Sequence, residues 1–131
     1  MSRLDEVLNV FERAQRVLVA TASAEGEPHI AVASNFALAT EGQVVVTEWF
    51  CPTTVANLAE NPEIAVVIWD PTADVGYQIV GRLDRLTERA VADGYLPGEE
   101  ALDIPQVDRD LWIRVEKILS FTEGPHTDRP E

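Results

Sequence analysis

The sequence predicts a mostly β fold of the α+β class: a six-stranded antiparallel barrel with an N-terminal helix and a short helix after the third strand. Three observations carry this. Six short runs are rich in β-branched residues or alternate in polarity. The turns joining the first three of them are tight and contain glycine. Only one helical insertion separates strands, whereas a parallel sheet needs a helix between each successive pair. With 131 residues, 46% hydrophobic and 25% charged, the chain has the size and composition of one domain with a real core. That domain is assigned to residues 1–122, with a polar tail at 123–131.

Ser2 followed by Asp5 and Glu6 marks a helix start, and Leu4, Val7, Leu8 and Phe11 recur at the spacing of one helical face. Residues 16–23, with VLVAT at their centre, form the first strand, and the turn from Ala24 to Glu27 leads into a second extended run over 28–39. After the turn at Thr40, Glu41 and Gly42, residues 43–48 form a third strand whose VVV core suits burial on both faces. Residues 53–60 follow Pro52, offer hydroxyls for capping, place Val55, Leu58 and Ala59 on one side, and stop before Asn61 and Pro62, the pattern of a short helix. Residues 63–70 are a fourth strand. After a loop at 71–75, residues 76–87 form a fifth, with Tyr77, Ile79 and Leu83 on one face. Gly94, Pro97, Gly98 and Pro105 make 91–107 mostly irregular. Residues 110–122 form the last strand, with Leu111, Ile113, Val115, Leu119 and Phe121 on one side and Lys117 interrupting them; the tail from Glu123 is expected to be disordered.

The net charge of −13 arises from 23 acidic residues against 10 basic ones. Such a field repels phosphate backbones and anionic lipid, which argues against a nucleic-acid partner. Apolar stretches of about six residues are far short of the roughly 20 that span a bilayer. The charged N-terminal segment does not read as a secretory signal, so a cytoplasmic location is expected. Cys51 is the single cysteine, which excludes an internal disulfide and a multi-cysteine metal site.

No glycine pair has the spacing of a dinucleotide-binding turn, and there is no phosphate loop of the GxxxxGK kind. His29 and His126 stand apart from acidic motifs, Asp70 and Asp74 read as a solvated turn rather than a cation site, and no metal is expected. Cys51 lies before a helix start, where the dipole favours a thiolate, although a small buried loop residue fits as well. The most informative segment is TEWFCPTTVAN, residues 47–57. A helix N-terminus presents unpaired N–H groups to an anion, and Thr53 and Thr54 add hydroxyl donors. Simple capping by Thr53 or Thr54, with Trp49 and Phe50 in the core, explains the same residues.

The order of motifs, an opening helix, VLVATASAEGEPHIAVA, a glycine turn, VVVTEWFCPTTVANLAENPEIAVVIWD and then GYQIVGRLDRL, resembles the FMN-binding split-barrel family of the pyridoxamine 5'-phosphate oxidase type. The resemblance runs from Leu4 to about Glu88, with a weaker match at 111–121. It implies a split barrel, a homodimer, and FMN at the interface between subunits. Carried onto this chain, it places Ala33, Ser34 and Asn35 against the flavin, Thr47 and Trp49 at the end of the strand beneath it, and Thr53, Thr54 and Asn57 on the phosphate. Trp112 would reach the partner's cofactor. The chain departs from the family where Arg or Lys is usual: Thr53 stands at one such position, and Ala31 and Ala33 stand where another basic residue is common. No Lys or Arg lies between Arg16 and Arg82.

Two functions from different classes follow. One is a flavin-dependent oxidoreductase or flavin carrier, substrate unknown and with no catalytic residue evident. The other is a cofactor-free dimeric binding or structural module that has lost its basic phosphate anchor. A deazaflavin or haem ligand is implied only by what other members of the fold bind.

Overall fold

A computed structural model of the chain describes residues 3–48, 52–91 and 107–124. It holds two helices, α1 (Arg3–Ala14) and α2 (Pro52–Glu60), and seven strands: β1 (Val17–Ala22), β2 (Pro28–Ala33), β3 (Asn35–Leu38), β4 (Gln43–Glu48), β5 (Glu63–Asp70), β6 (Val75–Val91) and β7 (Val107–Ser120). All strands pair antiparallel in one sheet of order β2-β1-β5-β6-β7-β4-β3. The two edge strands, β2 and β3, are consecutive in sequence and separated only by Ser34. A single residue therefore joins the opposite edges of the sheet, which must curl towards a barrel for them to meet.

The curl gives every strand an inner and an outer face, set by the alternation of side chains along it. Val17 and Val19, Phe36, Val44 and Val46, Ile64, Val66 and Ile68, Ile79, and Leu111 and Ile113 all point inwards and are buried. Each such side chain contributes about 1.5–3 kcal/mol. The amphipathic α1 adds Val7 and Val10 to this core and sets Phe11 against Phe36, ring centres 5.8 Å apart. Its acidic first turn (Asp5, Glu6) and basic last turn (Arg13) match the helix dipole, and Gln15, at φ 58°, ends it in the left-handed region.

The seventh strand corrects the expected six. The extended run 28–39 breaks at Ser34 because its halves pair with different strands, β2 with β1 and β3 with β4. The VVV core is not buried on both faces: Val44 and Val46 are enclosed, while Val45 faces outwards. The hydrophobic phase of the last strand also shifts. A bulge at Glu116, where Val80 pairs with Lys117 but Gly81 with Val115, turns Ile118 rather than Leu119 onto the core. β6 and β7 extend to Val91 and Val107, which pair with each other; the rest of the stretch expected to be irregular lies outside the described residues. At the tail, Glu123 and Gly124 donate their backbone N–H groups to Asp74, so the first tail residues are held rather than disordered. No helix among the described residues is long and apolar enough to cross a membrane.

Candidate functional site

The outer face of β3, β4, β7 and β6 carries two adjacent cross-strand rows, set by pairing register. Asn35, Thr47, Asp110 and Thr87 lie opposite one another in the first. Ala37, Val45, Trp112 and Arg85 form the second. Because Ala37 and Val45 are small and Trp112 is large, the surface sinks between them into a hollow of about 540 Å³ that runs from Asn35 to Thr40.

The polar row is internally bonded. The Thr47 hydroxyl donates to Asp110 Oδ1 at 2.9 Å, and Asp110 is only 8% exposed. Trp112 Nε1 donates to Thr87 Oγ1 at 3.1 Å, crossing from one row to the other, and the Arg85 guanidinium lies 4.0 Å from the Trp112 ring centre. Bond and cation–π contact together fix the indole at the wall of the hollow.

Four of the residues assigned to a cofactor thus gather at this corner: Asn35, Thr47 and Trp112 line the hollow, and Ser34 is exposed beside them. Ala33, next in the chain, is buried in the core cluster and reaches the corner only through its backbone. Three of the remaining four are at the opposite end of β2. There Thr53 and Asn57 line a smaller hollow of about 180 Å³ with Glu27, Pro28 and His29. Thr53 is exposed, Thr54 is 0% exposed, and Asn57 spends its amide on Thr21 Oγ1 at 3.0 Å. Trp49 lies outside the described residues, as do Phe50 and Cys51. The two hollows are separated by the length of β2, about 17 Å at roughly 3.3 Å per residue.

Charge at the two ends is unlike what an anion needs. Asp110 is the ionisable residue lining the larger hollow, and Glu27 and His29 are those lining the smaller. Asp70 and Asp74 do not converge on a cation. Asp70 accepts from Arg13 at 3.1 Å, which holds its carboxyl below the ordinary range, and Asp74 is lowered by the Glu123 N–H and then by Trp69 Nε1. Among the described residues no group of three potential metal ligands forms.

Sequence reasoning missed Asp110, Thr87 and Arg85. Each sits in an alternating strand and looks like a solvated outward residue until the register is known. DRDLW in β7 holds the signal, a carboxylate two residues before a tryptophan on one strand face, but its meaning depends on what stands opposite.

The pattern of the pyridoxamine 5'-phosphate oxidase family matches residues 4–116. The chain belongs to the pyridoxamine 5'-phosphate oxidase family. No curated protein matches it by sequence. Among solved structures, HupZ of Group A Streptococcus is similar at 21% identity and a TM-score of 0.67, over 94% of this chain and 97% of that one. A pyridoxamine 5'-phosphate oxidase-related, FMN-binding protein of Nostoc punctiforme reaches 0.67 at 10% identity, over 96% and 87%. HutZ, the heme storage protein of Vibrio cholerae, reaches 0.57 at 14%, over 90% and 94%. These likenesses concern the fold. In this pyridoxamine 5'-phosphate oxidase family member, Arg85 lies over the Trp112 ring and Arg109 pairs with Glu88 at 3.4 Å.

Proposed function

We propose that the chain binds FMN at the Ser34 corner and acts as a flavin-dependent oxidoreductase or flavin carrier, working as a homodimer. The observation that carries this reading is the corner itself, where the exposed residues Ser34 and Asn35 meet the polar row and the fixed Trp112. A bound flavin supplies the redox chemistry, and the protein contributes position and electrostatics. Thr47, held by Asp110, is a fixed oxygen at the strand end, and Asn35 brings both amide donors and an amide acceptor. The ring end of the site suits the cofactor. The phosphate end is weaker: the α2 N-terminus and the exposed Thr53 offer neutral donors, Thr54 is enclosed, and Glu27 adds a like charge.

Dimerisation has separate support. Leu18, Ile30 and Val32 are 40%, 66% and 61% exposed, with Leu18 opposite Val32 and Ala20 opposite Ile30. Beside these knobs Ala20, Ala22, Ala65 and Val80 line a shallow depression of about 300 Å³. A chain of net charge −13 repels its own copies least across an apolar face, and the one carboxylate lining this depression, Glu63, is paired with Arg82, so the face suits a second copy.

The test is an FMN titration of the purified protein, read by quenching of flavin fluorescence and by the visible spectrum. Saturable binding is expected, and Thr53→Arg should tighten it about tenfold by adding a charge-assisted contact. No binding at about 1 mM FMN would leave the cofactor-free module, the reading that the absent cation and Glu27 favour. A Soret band on adding haemin, without flavin binding, would move the chain towards its haem-named structural neighbours.

A further inference from the structure

The turn between β1 and β2 is closed by its own hydrogen bonds. The Ser23 N–H donates to the Glu27 carbonyl at 3.0 Å, the Gly26 N–H to the Ser23 carbonyl at 2.9 Å, and the Glu27 N–H to the Ser23 hydroxyl at 3.0 Å. Gly26 takes φ 91°, which glycine adopts without strain. Held in this way, Glu27 lines the smaller hollow with Pro28, His29, Thr53 and Asn57. It is exposed, and among the described residues no Lys or Arg pairs with it.

Among the described residues no Lys or Arg lines either hollow. Residues 17–81, which supply β1 to β5 and α2, contain carboxylates but no Lys or Arg. On β6 and β7, Arg82 pairs with Glu63, Arg109 with Glu88 and Arg114 with Asp84, so each of these cations has a carboxylate beside it. The free N–H groups at the start of α2 favour an anion by about two- to fivefold. An exposed like charge such as Glu27 opposes it by a similar factor, and the net charge of −13 then tips the balance against a phosphate dianion. A terminal hydroxyl meets the opposite situation. It can donate to the Glu27 carboxylate and bond to the exposed Thr53 hydroxyl, whereas a phosphate dianion has no proton to give.

We infer that the flavin site of this chain selects against the 5'-phosphate: riboflavin, the uncharged flavin, is its preferred ligand, FMN is a weaker one, and Glu27 sets the preference. This rests on the flavin reading above and changes which form of flavin the site is built for.

The experiment titrates the full chain with riboflavin and with FMN, read by quenching of flavin fluorescence. It is run at about pH 8, where phosphate monoesters are dianions and ordinary imidazoles are uncharged. Riboflavin should bind at least about threefold more tightly than FMN. Because the preference is electrostatic, it should shrink as NaCl rises from about 0.05 to about 0.5 M. Glu27→Gln should raise the affinity for FMN and narrow the ratio, and Thr53→Arg should reverse it in favour of FMN. Both positions are exposed, so neither change disturbs the core. FMN binding as tightly as riboflavin or more tightly, or a preference that ignores both salt and Glu27→Gln, would overturn the inference and leave the flavin reading standing. Binding of neither flavin would remove that reading, and this inference with it.

Discussion

Asp74 shows how one side chain can hold several elements in place. Its backbone takes φ 52°, a conformation aspartate tolerates better than most residues, and its carboxylate accepts from Trp69 Nε1 at 3.0 Å, from the Glu123 N–H at 2.7 Å and from the Gly124 N–H at 3.2 Å. The β5–β6 turn, the end of β7 and the edge-on Trp69–Phe121 pair, centres 6.0 Å apart, are fixed together. Those donors favour the charged form and depress the Asp74 pKa below its usual 3.8. A depressed carboxyl contributes stability that is fully present above the unfolded value and lost as pH falls through the folded one. Asp74→Asn is therefore expected to lower the melting temperature at neutral pH, with the gap to wild type closing below 3.8. Thermal melts of both proteins across that range test it, and a gap of constant size would show that the charge is irrelevant. From sequence, Asp74 was one of two carboxylates in a solvated turn. Its partners Glu123 and Gly124 lie about 50 residues away, and no local pattern names them.

At the level of elements, what was legible followed from short-range physics. The Leu4, Val7, Leu8, Phe11 stripe, the β-branched β4 and β5, and the Pro-bounded α2 announce themselves because propensity, period and capping agree. The errors are places where pairing overrides local preference. Ser34 breaks a run that is continuous in hydropathy, and Glu116 slips the phase of β7, since both are decided by a partner strand. The candidate site divided in the same way. Asn35, Thr47 and Trp112 come together because register aligns them, while Thr53, Thr54 and Asn57 belong to a helix whose own contacts lead to the other end of β2. The β6–β7 bulge offers a direct check. A Cβ on Gly81 would press into the Arg114 carbonyl oxygen and sit 3.0 Å from Ile113 Cγ2. Gly81→Ala is expected to cost about 1–3 kcal/mol or more through strain between the strands. Urea denaturation measures it, and an unchanged midpoint would mean that β6 and β7 do not approach so closely there.

For the molecule as a whole, the proposed dimer rests on the apolar face across β1 and β2. Val32→Asp places a carboxylate among Leu18, Ile30 and Val67 without touching the core. Light scattering after gel filtration should give twice the 14.5 kDa chain mass for wild type and the single mass for the variant. A monomeric wild type, or a variant that remains dimeric, would place the contact elsewhere. Within each copy, the one-residue join at Ser34 acts as a counting device. Because side chains alternate strictly, inserting a single residue there would turn Phe36 out of the core and Ala37 into it, while β2 stayed in place on β1. Inserting two would restore the facing but leave slack between the edges. The length of this join therefore sets both the closure of the barrel and which side chains of β3 line the hollow.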